Sequence, residues 1–190
     1  MKGLLVFFLL TAVAWGQPQL QELLPPQGKA GGLVLIRGQG FGSDKEATQV
    51  FFGPTAAKVI SIRDDQISAQ VPWEANRESS IKVARDGQES NALPFVCLPS
   101  LRLSVAKNPL EVGEKTTGVF RIYHSDEPAT IFLENGSPEV VRYSAGNKQT
   151  LRTSGGDTNQ VQFEIEGLVG NKIYDVEYRW GKRNQEEVQW

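Results

Sequence analysis

His124 is the only histidine and Cys97 the only cysteine of the 190-residue chain. Any triad, histidine-based metal site or thiol chemistry therefore has to be built on one of these two residues. His124 sits in RIYHSDEP, at an expected strand end, with neither a nucleophile-elbow motif nor a second metal-ligand spacing beside it. It reads as an exposed or capping residue. Cys97 lies in the apolar run LPFVCLPS, which suits a buried, inert thiol, with a disulfide between chains as the alternative. Carboxylates are plentiful but scattered, and acid–base pairs meet only in space, so the sequence gives them no support. Asp64-Asp65 and Ser125-Asp126-Glu127 lack the spaced Asp/Asn loop and distal Glu that supply calcium with enough oxygens, and they read as solvated turns. No catalytic residue, metal ligand or cofactor site is expected.

Aromatic rings are what remains, because a flat ring on an exposed sheet can stack on the apolar C–H face of a sugar. Trp73, Tyr143, Trp180 and Trp190 are the ones to follow. Trp180 alternates in phase with Val176 and Tyr178, which points it into a core. Trp73 and Trp190 are expected to be exposed and are the two candidate ligand-binding residues. Asn135 opens an NGSP glycosylation pattern, weakened by the proline that follows.

The elements that would carry these rings are strands. Segments rich in Val, Ile, Phe and Tyr recur between Gly, Asn, Asp and Pro, and no stretch keeps a helical period. Strands are expected near 19–24, 33–37, 48–52, 57–63, 66–71, 80–85 and 93–97. In SSIKVAR, Ile81 and Val83 point to one face and Ser80, Lys82 and Ala84 to the other. Asp64-Asp65 and Asp86-Gly87 suit tight turns. A second set begins after Pro99: LRLSV, TGVFRIYH, ATIFLE, EVVRY, QTLRT, QVQFEI and KIYDVEYRW. VFRIY places Val119, Arg121 and Tyr123 on one face and Phe120 and Ile122 on the other. The fold class is all-β, with two tandem immunoglobulin-like β-sandwiches over 17–98 and 99–190. The link around 98–100 is so short that the domains should sit end to end with limited swing.

Residues 1–16 have the three parts of an export signal: Lys2, an apolar run from Leu4 to Leu10, and small residues at Ala12, Ala14 and Gly16. Cleavage is expected after Gly16, with Ala14 as the alternative site. The apolar run is shorter than the roughly 20 residues that span a bilayer, so no membrane span is expected. The 20 basic residues against 22 acidic ones leave an ordinary, slightly acidic surface. Nothing basic is interleaved with aromatics, which disfavours nucleic acid as a partner.

The first half resembles the IPT/TIG family, whose immunoglobulin-like fold is shared by plexins and transcription factors. The landmarks run over about 19–97: the turn with Pro25, Pro26, Gly28, Gly31 and Gly32; the strand from Leu33 to Ile36; and the GQGFG loop of Gly38, Gly40, Phe41 and Gly42. VFFG, ISIRDDQISAQVP and DGQESNALPF follow in order. Trp73-Glu74 departs from the pattern, since many relatives turn there with a small residue. Read physically, the loop glycines allow a turn closed to other residues and Phe41 plugs the core. No Gly-Lys-Ser/Thr ending makes it a phosphate loop. The resemblance implies a spacer or recognition module of the kind found in extracellular bacterial proteins, in surface receptors and beside starch-active enzymes; a related form contacts DNA. The second half has no assigned family. The expectation is an exported bacterial cell-surface or periplasmic protein acting as a binding, adhesion or spacer module without catalysis. The alternative is a carbohydrate-binding accessory protein using exposed aromatics. Its partner would be a protein or polysaccharide surface.

Overall fold

A computed structural model describes residues 16–156 and 159–182. The export signal other than Gly16, and Trp190, lie outside the described residues.

The described residues form sixteen strands, and none of them is helical. In the N-terminal half, β1 (Gln19–Leu24), β3 (Leu33–Gln39), β6 (Gln66–Gln70) and β5 (Thr55–Arg63) lie side by side. β5 then continues into a second group: β4 (Thr48–Phe52), β7 (Glu78–Arg85), β9 (Leu93–Leu98) and β2 (Gln27–Lys29), with β8 (Gln88–Glu89) on β7. Thr55 to Ala57 of β5 pair with β4 and Lys58 onward with β6, and that second ladder carries a register shift between Val59 and Ser61 just past the change of partner. A bulge of this kind lets one strand turn from one layer into the other.

Alternation decides which side chains enter the core. Ile81 and Val83 are fully buried while Ser80, Lys82 and Ala84 are half-buried, as period two requires. Val34 and Ile36 of β3, Ile67 and Ala69 of β6, and Val50 and Phe52 of β4 join them in one apolar cluster. Asp86 and Gly87 both adopt positive φ, 49° and 79°, in the turn between β7 and β8. The very short β2 and β8 carry no alternation and lie outside the expected set.

In the C-terminal half, β10 (Ser100–Val105), β11 (Lys115–Tyr123), β15 (Gln160–Gly167) and β13 (Val141–Tyr143) form a four-stranded sheet. It faces a three-stranded sheet of β14 (Lys148–Arg152), β12 (Ala129–Asn135) and β16 (Val176–Lys182). Phe120, Ile131, Leu133, Tyr143, Phe163 and Ile165 fill a second core cluster, separate from the first. The last expected strand begins too early, since Lys172 makes only an isolated bridge with Leu110 and the strand starts at Val176. Tyr174 is buried in that approach and its hydroxyl donates to the Lys107 carbonyl at 2.5 Å.

Candidate functional site

The GQGFG loop is scaffold. Phe41 is fully buried in the first core, and Gly40 and Gly42 take positive φ of 76° and 71°. The Asp64-Asp65 turn, read as merely solvated, also fastens this loop. The Asp64 carboxylate accepts the Gly42 amide at 2.9 Å, its carbonyl accepts the Phe41 amide, and the Asp65 carbonyl accepts the Gly38 amide. Among the described residues no cluster of three His, Cys, Asp or Glu side chains could hold a metal.

Cys97 is fully buried with a free thiol, and burial pushes its pKa up to about 11 against a weaker opposing hydrogen bond from Ser79. Tyr143 is also core. Burial, then the neighbouring Tyr174 and Glu177, raise its hydroxyl to about 12. Trp180 packs half-buried against the second core. Asn135 is buried, its amide donating to the Val141 carbonyl and to Asn147, so the NGSP asparagine is a turn fastener.

The expected exposure of Trp73 is corrected. It is half-buried where the two halves meet, its indole above Gly31 and edge-on to Tyr123 with centroids 5.2 Å apart. The Arg102 guanidinium lies over it at 5.4 Å, and the Arg121 guanidinium lies over Tyr123 at 5.0 Å. His124 follows in a left-handed conformation, φ 62°, and its Nδ1 donates to the Leu98 carbonyl at 3.2 Å. It is half-buried rather than exposed, because the short link turns it back onto the chain it follows. Ser100 completes the seam, accepting the Ala30 amide and donating to the Leu98 carbonyl. An open groove of about 420 Å³ beside these residues is lined by Glu74, Arg77, Arg121 and Asp126 among others.

A different ring stands in the open. Phe132, 44 % exposed, sits at the centre of the outer face of the three-stranded sheet. Register places Thr150 and Arg179 on either side of it, and places Lys148 and Glu177 on either side of Glu134 in the next row. Lys148 pairs with Glu134 at 2.6 Å. These residues line an open groove of about 640 Å³. An apolar ring ringed by carboxylates, a hydroxyl and a guanidinium offers both contacts a sugar makes: a stacking face and hydrogen-bond partners for hydroxyls. Sequence reading passed over Phe132. The signal was three consecutive apolar residues, Ile131, Phe132 and Leu133, in a strand with one wet face, since alternation forces one of the two sets outward.

The fold and these surfaces define an all-β chain of sandwich architecture whose open features are a sheet-face groove and a seam between two halves. Residues 18–96 match the IPT/TIG domain. Across 91 % of its length the chain is 41 % identical, over 185 residues, to a cyclomaltodextrin glucanotransferase of Bacillus sp. (strain 6.6.3). It is 40 % identical, over 184 residues, to the enzyme of that name from Bacillus licheniformis. The chain spans 23 % of the length of each of these curated relatives. Among solved structures it is similar to the gamma-CGTase of an alkalophilic Bacillus clarkii, with a TM-score of 0.41 and 19 % identity over 92 % of this chain and 24 % of that one.

Proposed function

We propose that this chain is an exported, non-catalytic β-sandwich module that binds polysaccharide. In this reading residues 1–16 direct export, and 17–98 and 99–190 fold as two domains. The observation that carries it is Phe132: an aromatic ring left in water at the centre of a polar sheet face, inside a groove large enough for a short run of sugar residues. The likeness to segments of cyclomaltodextrin glucanotransferases supports an α-glucan as the first ligand to try. Neither Trp73, held in the seam, nor Trp190, outside the described residues, is needed for this surface.

The test is affinity electrophoresis of the chain in gels containing soluble amylose, beside Phe132→Ala. Retardation of the parent and its loss in the variant, with the melting temperature unchanged because an exposed ring is removed, is the expected result. An unretarded parent, or a variant retarded as strongly, would sink the reading.

A further inference from the structure

We propose a second ligand surface, on the opposite face of the C-terminal half, for a polysaccharide that bears carboxylates, such as a uronate chain. The inference extends the polysaccharide reading but uses none of the residues of the Phe132 groove. It starts from Arg102 and Arg121, which stand directly opposite each other on β10 and β11, both on the outer face. Like charges in directly opposed positions repel each other. Neither guanidinium has a carboxylate partner among the described residues.

The far end of the same sheet behaves differently. There Lys115 pairs with Glu164 at 2.9 Å and Arg142 with Glu166 at 3.0 Å. Positive charge is thus matched at one end of the face and left unmatched at the other. Glu74 and Asp126 line the neighbouring groove but pair with neither arginine.

Each arginine is also held by an aromatic ring, Arg102 by Trp73 and Arg121 by Tyr123. Stacking against a ring restricts the guanidinium plane and leaves its N–H edges able to donate in a fork, the geometry a carboxylate accepts with both oxygens. The next positions on this face suit hydroxyls. Gln160 lies opposite Arg121, Gln162 opposite Val119, and Ser104 on the other side of Val119; all three polar residues are exposed. Amide and hydroxyl groups beside a fixed pair of cations fit a sugar chain with carboxylates. An acidic peptide would also seek apolar contacts, and Val119 alone offers one in these rows.

Affinity electrophoresis of the full chain in polygalacturonate, in amylose and in poly-glutamate tests this. At about 50 mM salt polygalacturonate should retard the chain, with the effect much reduced at about 500 mM. The double variant Arg102→Gln/Arg121→Gln should lose about tenfold in affinity for polygalacturonate while keeping its migration in amylose. Should that variant melt early, Arg102→Lys/Arg121→Lys keeps both charges and removes only the forks, and is expected to bind more weakly than the parent. No retardation by polygalacturonate at low salt, undiminished binding by the variants, or equal binding of poly-glutamate would overturn the proposal. None of these results depends on whether amylose binds.

Discussion

Trp73 and Tyr123 meet edge to face across the seam, ring centroids 5.2 Å apart and planes inclined at 64°. Trp73 comes from the loop between β6 and β7 and Tyr123 from the end of β11, so one contact ties the two halves together beyond the short covalent link. Aromatic pairs of this geometry contribute about 0.5–1.5 kcal/mol beyond their burial, and a stacked exposed guanidinium about 0.5–1 kcal/mol more. Trp73→Ala should therefore weaken the seam by about 2 kcal/mol while leaving both cores intact. Small-angle scattering should show a broader distribution of shapes at unchanged secondary structure. An identical scattering profile would mean that the link and Ser100 alone fix the arrangement.

How far the sequence spoke depended on the range of the interaction. Asp86-Gly87, the Ile81 and Val83 alternation and Phe41 were legible because turn chemistry and period-two burial are decided within a few residues. Trp73 was not, because its partners Arg102 and Tyr123 lie in the other half of the chain, and only the tertiary arrangement brings them together. The Arg102–Arg121 pair is invisible for a related reason. It exists only through the register of β10 on β11, and a slip of one residue would put the two side chains on opposite faces of the sheet. Phe132 lay between these extremes, announced by an apolar triplet that alternation could not bury whole.

Asp64 gives a local prediction. Its carboxylate holds the Gly42 amide from an exposed turn, so Asp64→Ala should cost about 1 kcal/mol, and Asp64→Asn, which keeps an acceptor oxygen, a fraction of that. Denaturant unfolding of the two variants measures the difference. Because that carboxylate is engaged by a backbone amide, chelation of calcium should leave the melting temperature where it was. A drop on adding chelator would show that this turn, or another, holds a metal after all.

Gly118 is a position where the second core cannot accept one more carbon. A Cβ there would stand 2.3 Å from the ring atoms Cε1 and Cζ of Phe163, directly across the strand pair. Phe163 is itself wedged between Phe120, stacked at 5.3 Å, and Tyr143, edge-on at 5.5 Å, so it has little room to withdraw. Gly118→Ala should destabilise by about 1–3 kcal/mol, and adding Phe163→Leu should recover part of the loss. Two additive losses in a double-mutant cycle would show that the clash is relieved elsewhere.

Alkaline pH should expose three buried acids, Cys97, Tyr143 and Tyr174, each raised by burial. Cys97 is raised by burial from its usual 9.0 to about 11, and Tyr143 from 10.0 to about 12. All three are neutral when protonated, so between its unfolded and folded pKa each group holds its proton in the folded chain and releases it on unfolding. Folding stability then falls with rising pH. The contribution of Cys97 is complete below pH 9 and is lost between about 9 and 11; that of Tyr143 is lost between about 10 and 12. Two pH units correspond to about 2–3 kcal/mol for a fully expressed shift. Urea unfolding at pH 8, 9, 10 and 11 should thus show flat stability at first and then a decline. Cys97→Ala should remove the onset near pH 9, and Tyr143→Phe should remove part of the later slope while keeping the ring contacts with Phe163, buried Tyr174 supplying the rest. The same burial predicts that a thiol reagent at pH 8 labels Cys97 only as fast as the chain opens. Rapid labelling of the native protein, with no decline in stability above pH 9, would place the thiol at the surface and return an interchain disulfide to consideration.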